Sequence, residues 1–174
     1  MSTVTCFKGF HNLGERAFNQ HPIDGWSKTG SFGPGLYFGD LNCAQVYAEK
    51  YYPNDAIYKA VVKPKNTLEL HVSDEHLDEF GIDTYALPLI SSAFDVDLDE
   101  AAMLFSSLAT NDNHLGDAIL NKLVSKGYDS IHVVYNRNPD VFEFVVLDPK
   151  LKIEITTLPK FGLEIDSPNS APKI

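Results

Sequence analysis

Two stretches of this chain carry residue types that do chemistry on a ligand. The first is Gly30-Ser31-Phe32-Gly33-Pro34-Gly35-Leu36-Tyr37-Phe38-Gly39-Asp40, with Ala44-Gln45-Val46-Tyr47-Ala48 close behind. Its glycines and proline turn the chain tightly into a short apolar-aromatic strand, and bare backbone at Gly33 and Gly35 is expected to let a ligand approach. The second is Val141-Phe142-Glu143-Phe144-Val145-Val146-Leu147-Asp148-Pro149, where a single carboxylate, Glu143, opens an otherwise apolar strand. Together they read as a binding loop and a catalytic acid brought together by a fold. Taken alone, each has a plainer reading. Glu143 reads as an exposed polar residue on an edge strand, Tyr37 and Tyr47 as core aromatics, and Asp148-Pro149 as a strand-ending turn.

The elements that must position these residues belong to one domain. The chain has 174 residues, enough for one proper core and too few for two large ones. A hydrophobic fraction of 44% with 11 Phe and 8 Tyr argues against disorder over most of the length. No apolar run reaches the roughly 20 residues a membrane helix needs. Met1-Ser2-Thr3-Val4-Thr5 lacks a basic segment followed by an apolar one, so the expectation is a cytoplasmic protein without membrane association. The formal net charge of −10 disfavours nucleic acid as a partner. Cys6 and Cys43 are too few for a disulfide framework. The six histidines show no zinc-like spacing and read as solvated surface residues, so no metal site is expected.

Strands are expected at Thr3–Phe7 running into Lys8-Gly9, at Ala56–Val62, at Thr67–Leu70, and near the end at Ser130–Tyr135, Phe142–Leu147 and Leu151–Thr157. Residues 21–35 read as an ordered loop. Short helices are expected at Leu13–Asn19 and after Ser73, whose Ser73-Asp74-Glu75-His76 has capping-box spacing. Asn42 is the expected cap of a helix through Ala44, Val46 and Tyr47. Apolar periodicity predicts helices over Asp97–Leu108 and Leu115–Lys126, the second stopped by Gly127. Strands at both ends with helices between them predict an α+β domain over residues 1–158, followed by a partly flexible tail at 159–174.

Four segments in order resemble the ADP-ribosyltransferase superfamily, in particular the compact poly(ADP-ribose)-polymerase-like transferases of bacteria and phages. They are Phe7-Lys8-Gly9; Gly33-Pro34-Gly35-Leu36-Tyr37-Phe38 with Ala44-Gln45-Val46-Tyr47-Ala48; Gly127-Tyr128-Asp129-Ser130-Ile131; and Phe142 through Pro149. The likeness covers roughly residues 5 to 155. It implies a split β-sandwich, two mainly antiparallel sheets around an NAD cleft, with a helical insertion in the middle. It implies NAD as substrate, no metal, and Glu143 as the catalytic carboxylate. Lys8 and Gly9 stand where the family has His-Gly or Arg-Gly, so a lysine point charge replaces a planar donor. Tyr37 and Tyr47 fall where the family flanks the nicotinamide. Gly35 and Ser31 fall beside them on the loop; plain turn chemistry also accounts for Ser31 and Thr29. His11 is a candidate substitute for the family histidine.

Cleaving the bond between nicotinamide and ribose creates an oxocarbenium-like centre, as in glycoside hydrolysis. A carboxylate beside it orients the sugar and stabilises the developing positive charge. The resemblance therefore implies a mono-ADP-ribosyltransferase acting on a protein or other macromolecule, with a bacterial or phage toxin or effector as the natural setting. An NAD glycohydrolase of the same fold and an inactive NAD- or partner-binding domain are the alternatives, the latter because of Lys8. Many arginine-directed members carry a second glutamate two residues before the catalytic one, and Val141 occupies that place here.

Overall fold

The computed structural model describes residues 3–9, 25–28, 30–45, 57–72, 86–109, 114–135 and 138–158. The expected helix at Leu13–Asn19, the Ser73–His76 capping box, His11, Thr29, Tyr47 and the 159–174 tail lie outside them.

The chain is α+β. Its strands are β1 (Val4–Gly9), β2 (Leu36–Gly39), β3 (Ile57–Val62), β4 (Thr67–Val72), β5 (Ser130–Tyr135), β6 (Asn138–Val146) and β7 (Ile153–Leu158). The helices are α1, described over residues 41–45, then α2 (Ala86–Phe94), α3 (Leu98–Leu108) and α4 (Asp117–Ser125). No described helix is long and apolar enough to cross a membrane.

The seven strands form one sheet in the order β4-β5-β6-β2-β1-β3-β7, where two sheets were expected. Only β4–β5 is a parallel pair. The sheet is nonetheless pinched. Strands β1 and β2 share a single register pair, Phe7 opposite Gly39, whereas β1 and β3 run together over six. A nearly complete division into β4-β5-β6-β2 and β1-β3-β7 is held at that one point.

Strand periodicity explains the two main cores. In β4, Leu68, Leu70 and Val72 are buried while Glu69 and His71 face solvent, the alternation of a strand covered on one side. Helices α2 to α4 supply the cover, packing Leu89, Ile90, Ile119 and Leu123 against Ile131, Val133 and Val145 of the sheet. Each such fully buried side chain contributes roughly 1.5–3 kcal/mol of transfer free energy. The opposite face buries Cys6, Leu36, Phe38, Tyr58, Ala60, Val62, Phe144 and Val146 in a second cluster. Its members come from both sides of the pinch.

Local signals account for the helix boundaries. Asp97 caps α3, its carboxylate accepting from Glu100 N at 2.8 Å. Gly127, at φ +86°, ends the turn after α4. That helix begins at Asp117, not Leu115, because Leu115 is drawn into bridges with Gly30 and Ala109. Helix α2, which periodicity did not predict, tolerates Pro88 because the proline sits in the first turn, where an N–H has no partner within the helix. The cap of α1 is Asp40, not Asn42: Asp40 Oδ1 accepts from Asn42 N at 2.8 Å and from Cys43 N at 3.1 Å.

Candidate functional site

The pinch opens into a cavity of about 390 Å³, in the size range of small-molecule sites. Past the pair Phe7–Gly39, β1 and β2 have no further register partners, and the side chain of Lys8 enters the gap. Lys8 Nζ donates to the carbonyl of Tyr37 at 2.8 Å. Strand β1 thus contributes Phe7, Lys8 and Gly9 to the wall, and β2 contributes Tyr37, Phe38 and Gly39. Ser27, Gly30 and Ser31 of the loop, Cys43 and Ala44 of α1, His114, and Glu143 of β6 complete most of the lining.

The Gly-rich segment is a folded staple. Ser27 and Gly35 exchange backbone hydrogen bonds at 2.8 and 3.0 Å, and Gly33 N and Leu115 N both donate to Gly30 O at 3.0 Å. Tyr37 locks it from inside: its hydroxyl donates to Gly33 O at 2.5 Å and accepts from Phe32 N at 3.2 Å. At Gly33 and Gly35 packing leaves no room for a side chain. A Cβ on Gly35 would lie 2.5 Å from Val145 Cγ1 and 2.9 Å from Val146 O. One on Gly33 would lie 2.5 Å from Ile119 Cγ2, and Gly33 also has φ +85°. Gly35 does not line the cavity.

Glu143 is not at the head of its strand. Strand β6 begins at Asn138, so Glu143 lies well inside it, opposite Gly39 on one side and Val133 on the other. This removes the edge-strand reading. Its carboxylate Oε1 accepts from Tyr135 OH at 2.6 Å. Asp148-Pro149 is the turn that ends the strand, with Lys150 N donating to Asp148 Oδ1 at 2.9 Å.

The structure therefore brings Lys8, Gly9, Ser31, Tyr37 and Glu143 to one cavity, and leaves Gly35 outside it. Sequence reasoning missed His114, Cys43 and Tyr135. Only a register argument from Val133 opposite Glu143 would have pointed to Tyr135, and His114 carried no local signal. Both thiols are shifted away from their ordinary range. Burial first, then the carboxylates of Asp40 and Glu143, push the Cys43 thiol up to about 11. Burial pushes Cys6 up to about 12 against the opposing charge of Lys8.

Burial also brings the Lys8 ammonium down from 10.5 to about 8, with Cys6 acting weakly the other way. A lysine whose pKa is lower in the folded state binds fewer protons there than in the unfolded chain between those two values. Its contribution to stability therefore rises with pH across that window. The stability difference between the parent and Lys8→Met is expected to move in the parent's favour by about 1 kcal/mol from pH 8 to pH 9. Taking the difference matters, because the two thiols, both raised in the fold, oppose the trend as pH climbs past 9. Urea unfolding of the two proteins at both pH values measures it, and a difference that does not change would show that Lys8 stays solvated. Compared with protein-family models, with curated proteins and with solved structures, the chain matches none.

Proposed function

We propose that this protein is a mono-ADP-ribosyltransferase that takes ADP-ribose from NAD, releases nicotinamide and passes the sugar to a protein acceptor. The observation that carries the reading is the convergence of Glu143, Lys8, Tyr37 and Ser31, from three separate stretches of the chain, on one cavity at the pinch of the sheet. The chemistry needs few groups. The C1′–N bond of the nicotinamide riboside breaks with its electron pair leaving on nicotinamide, and the ribose carbon becomes cationic. Glu143 stabilises that charge and orients the ribose through its hydroxyl groups. Lys8 contributes a donor and, when protonated, a positive charge for the ribose or diphosphate. The acceptor's nucleophile then adds to the ribose carbon and loses its proton. Tyr47 retains its proposed role of stacking on the nicotinamide ring.

The reading is tested first by binding and then by turnover. NAD that binds only the folded protein is expected to raise the melting temperature with concentration, by the equivalent of about 2.7 kcal/mol at one hundred times Kd. Nicotinamide should appear in solution, and labelled NAD in a cell lysate should mark protein that mass spectrometry can identify. Nicotinamide released without labelled protein would point to transfer to water. An unmoved melting curve in millimolar NAD, together with no nicotinamide, would end the enzymatic reading.

A further inference from the structure

We infer that Tyr135 is a positioning residue for Glu143, setting the orientation of the carboxylate that faces the cavity. The inference rests on the reading of Glu143 as the catalytic carboxylate. Tyr135 is the last residue of β5, where the pairing with β6 slips. Val133 is opposite Glu143 and Val134 opposite Phe142, but Tyr135 is opposite Asn138. Such an irregularity in a ladder redirects the side chain beside it.

The ring is held from two sides. Tyr135 pairs in register with Val72 of β4, a fully buried residue, and packs against the cluster beneath the helices. Its hydroxyl is thereby delivered to Glu143 Oε1 as a donor at 2.6 Å. A donor so placed restricts the carboxylate's rotamers and holds it in one orientation. Tyr135 itself is not part of the cavity wall, so any effect on catalysis passes through Glu143.

The test is a double-mutant cycle on nicotinamide release, using Tyr135→Phe, Glu143→Gln and the double variant beside the parent. All four are assayed at a temperature where circular dichroism shows them folded, so that a stability loss leaves the rate comparison intact. Tyr135→Phe is expected to lower kcat roughly 10- to 100-fold, the worth of a hydrogen bond to a charged group, with little change in KM for NAD. In the Glu143→Gln background the same change should cost almost nothing further, because the charge it positions is already gone. Parent-like kcat in Tyr135→Phe, or an equal loss in both backgrounds, overturns the inference while leaving Glu143 in place. A parent that releases no nicotinamide, or a Glu143→Gln variant as fast as the parent, overturns the underlying reading and this inference with it.

Discussion

Glu143→Gln is expected to slow nicotinamide release about 10²- to 10³-fold in single turnover, equivalent to roughly 3–4 kcal/mol of lost transition-state stabilisation. The substitution is nearly isosteric, and the amide oxygen can still accept from Tyr135 OH, so what changes is the negative charge. That charge matters most after the bond to nicotinamide has begun to break, so NAD affinity should move far less than the rate. A second signal needs no turnover. The Glu143 carboxylate is one of the groups holding the Cys43 thiol up, so its neutralisation should lower the thiol pKa and speed alkylation of Cys43 at pH 8. Faster alkylation with an undiminished rate of nicotinamide release would mean that Glu143 faces the cavity and takes no part in the reaction.

Gly33→Ala is expected to destabilise the fold by about 2–6 kcal/mol, through two separate costs. A left-handed backbone costs a non-glycine residue of order 1–3 kcal/mol. The new methyl group also lands 2.5 Å from Ile119 Cγ2, in a core where added volume typically costs 1–3 kcal/mol. For a chain of this size that is a fall in melting temperature of roughly 4–24 °C. Any relaxation must move either α4, which carries Ile119, or the loop whose Gly33 carbonyl receives the Tyr37 hydroxyl. The variant should therefore lose NAD affinity as well as stability. Thermal melting with and without NAD measures both, and a melting temperature within a degree of the parent would show that the loop is loosely held.

Much of the fold was legible because short-range chemistry decides it. The alternation in Thr67–Val72, the apolar period of Leu98–Leu108 and the left-handed stop at Gly127 all act within a few residues. Where two local signals competed, the sequence was ambiguous: Asp40 and Asn42 both suit a cap, and only the position of α1 against Phe142 selects Asp40, whose backbone N donates to Phe142 O at 3.2 Å. Pro88 obscured α2 because a proline reads as a break unless the first turn is known to begin just before it. The bend that makes one pinched sheet out of two expected ones depends on how β1 and β2 diverge, which no local pattern encodes. The same limit applies to the candidate site. Lys8, Tyr37 and Glu143 announced themselves by type and setting. Gly35 lies outside the cavity lining, and the space a side chain there would need is filled by Val145. Tyr135 was invisible because it reaches Glu143 through space, across a slipped ladder.

The pairing order also bears on how the protein is made. Strand β2 finds its partner β6 only when residue 36 meets residue 146, and β3 meets β7 at residues 57 and 158. Contacts so distant along the chain delay the productive collapse and place folding toward the slower, millisecond-to-second end for domains of similar size. A nascent chain on the ribosome carries Lys8 and Tyr37 long before it carries Glu143. The cavity wall therefore cannot close until the last strands have emerged, and a chain halted short of β6 has no Glu143 to line it.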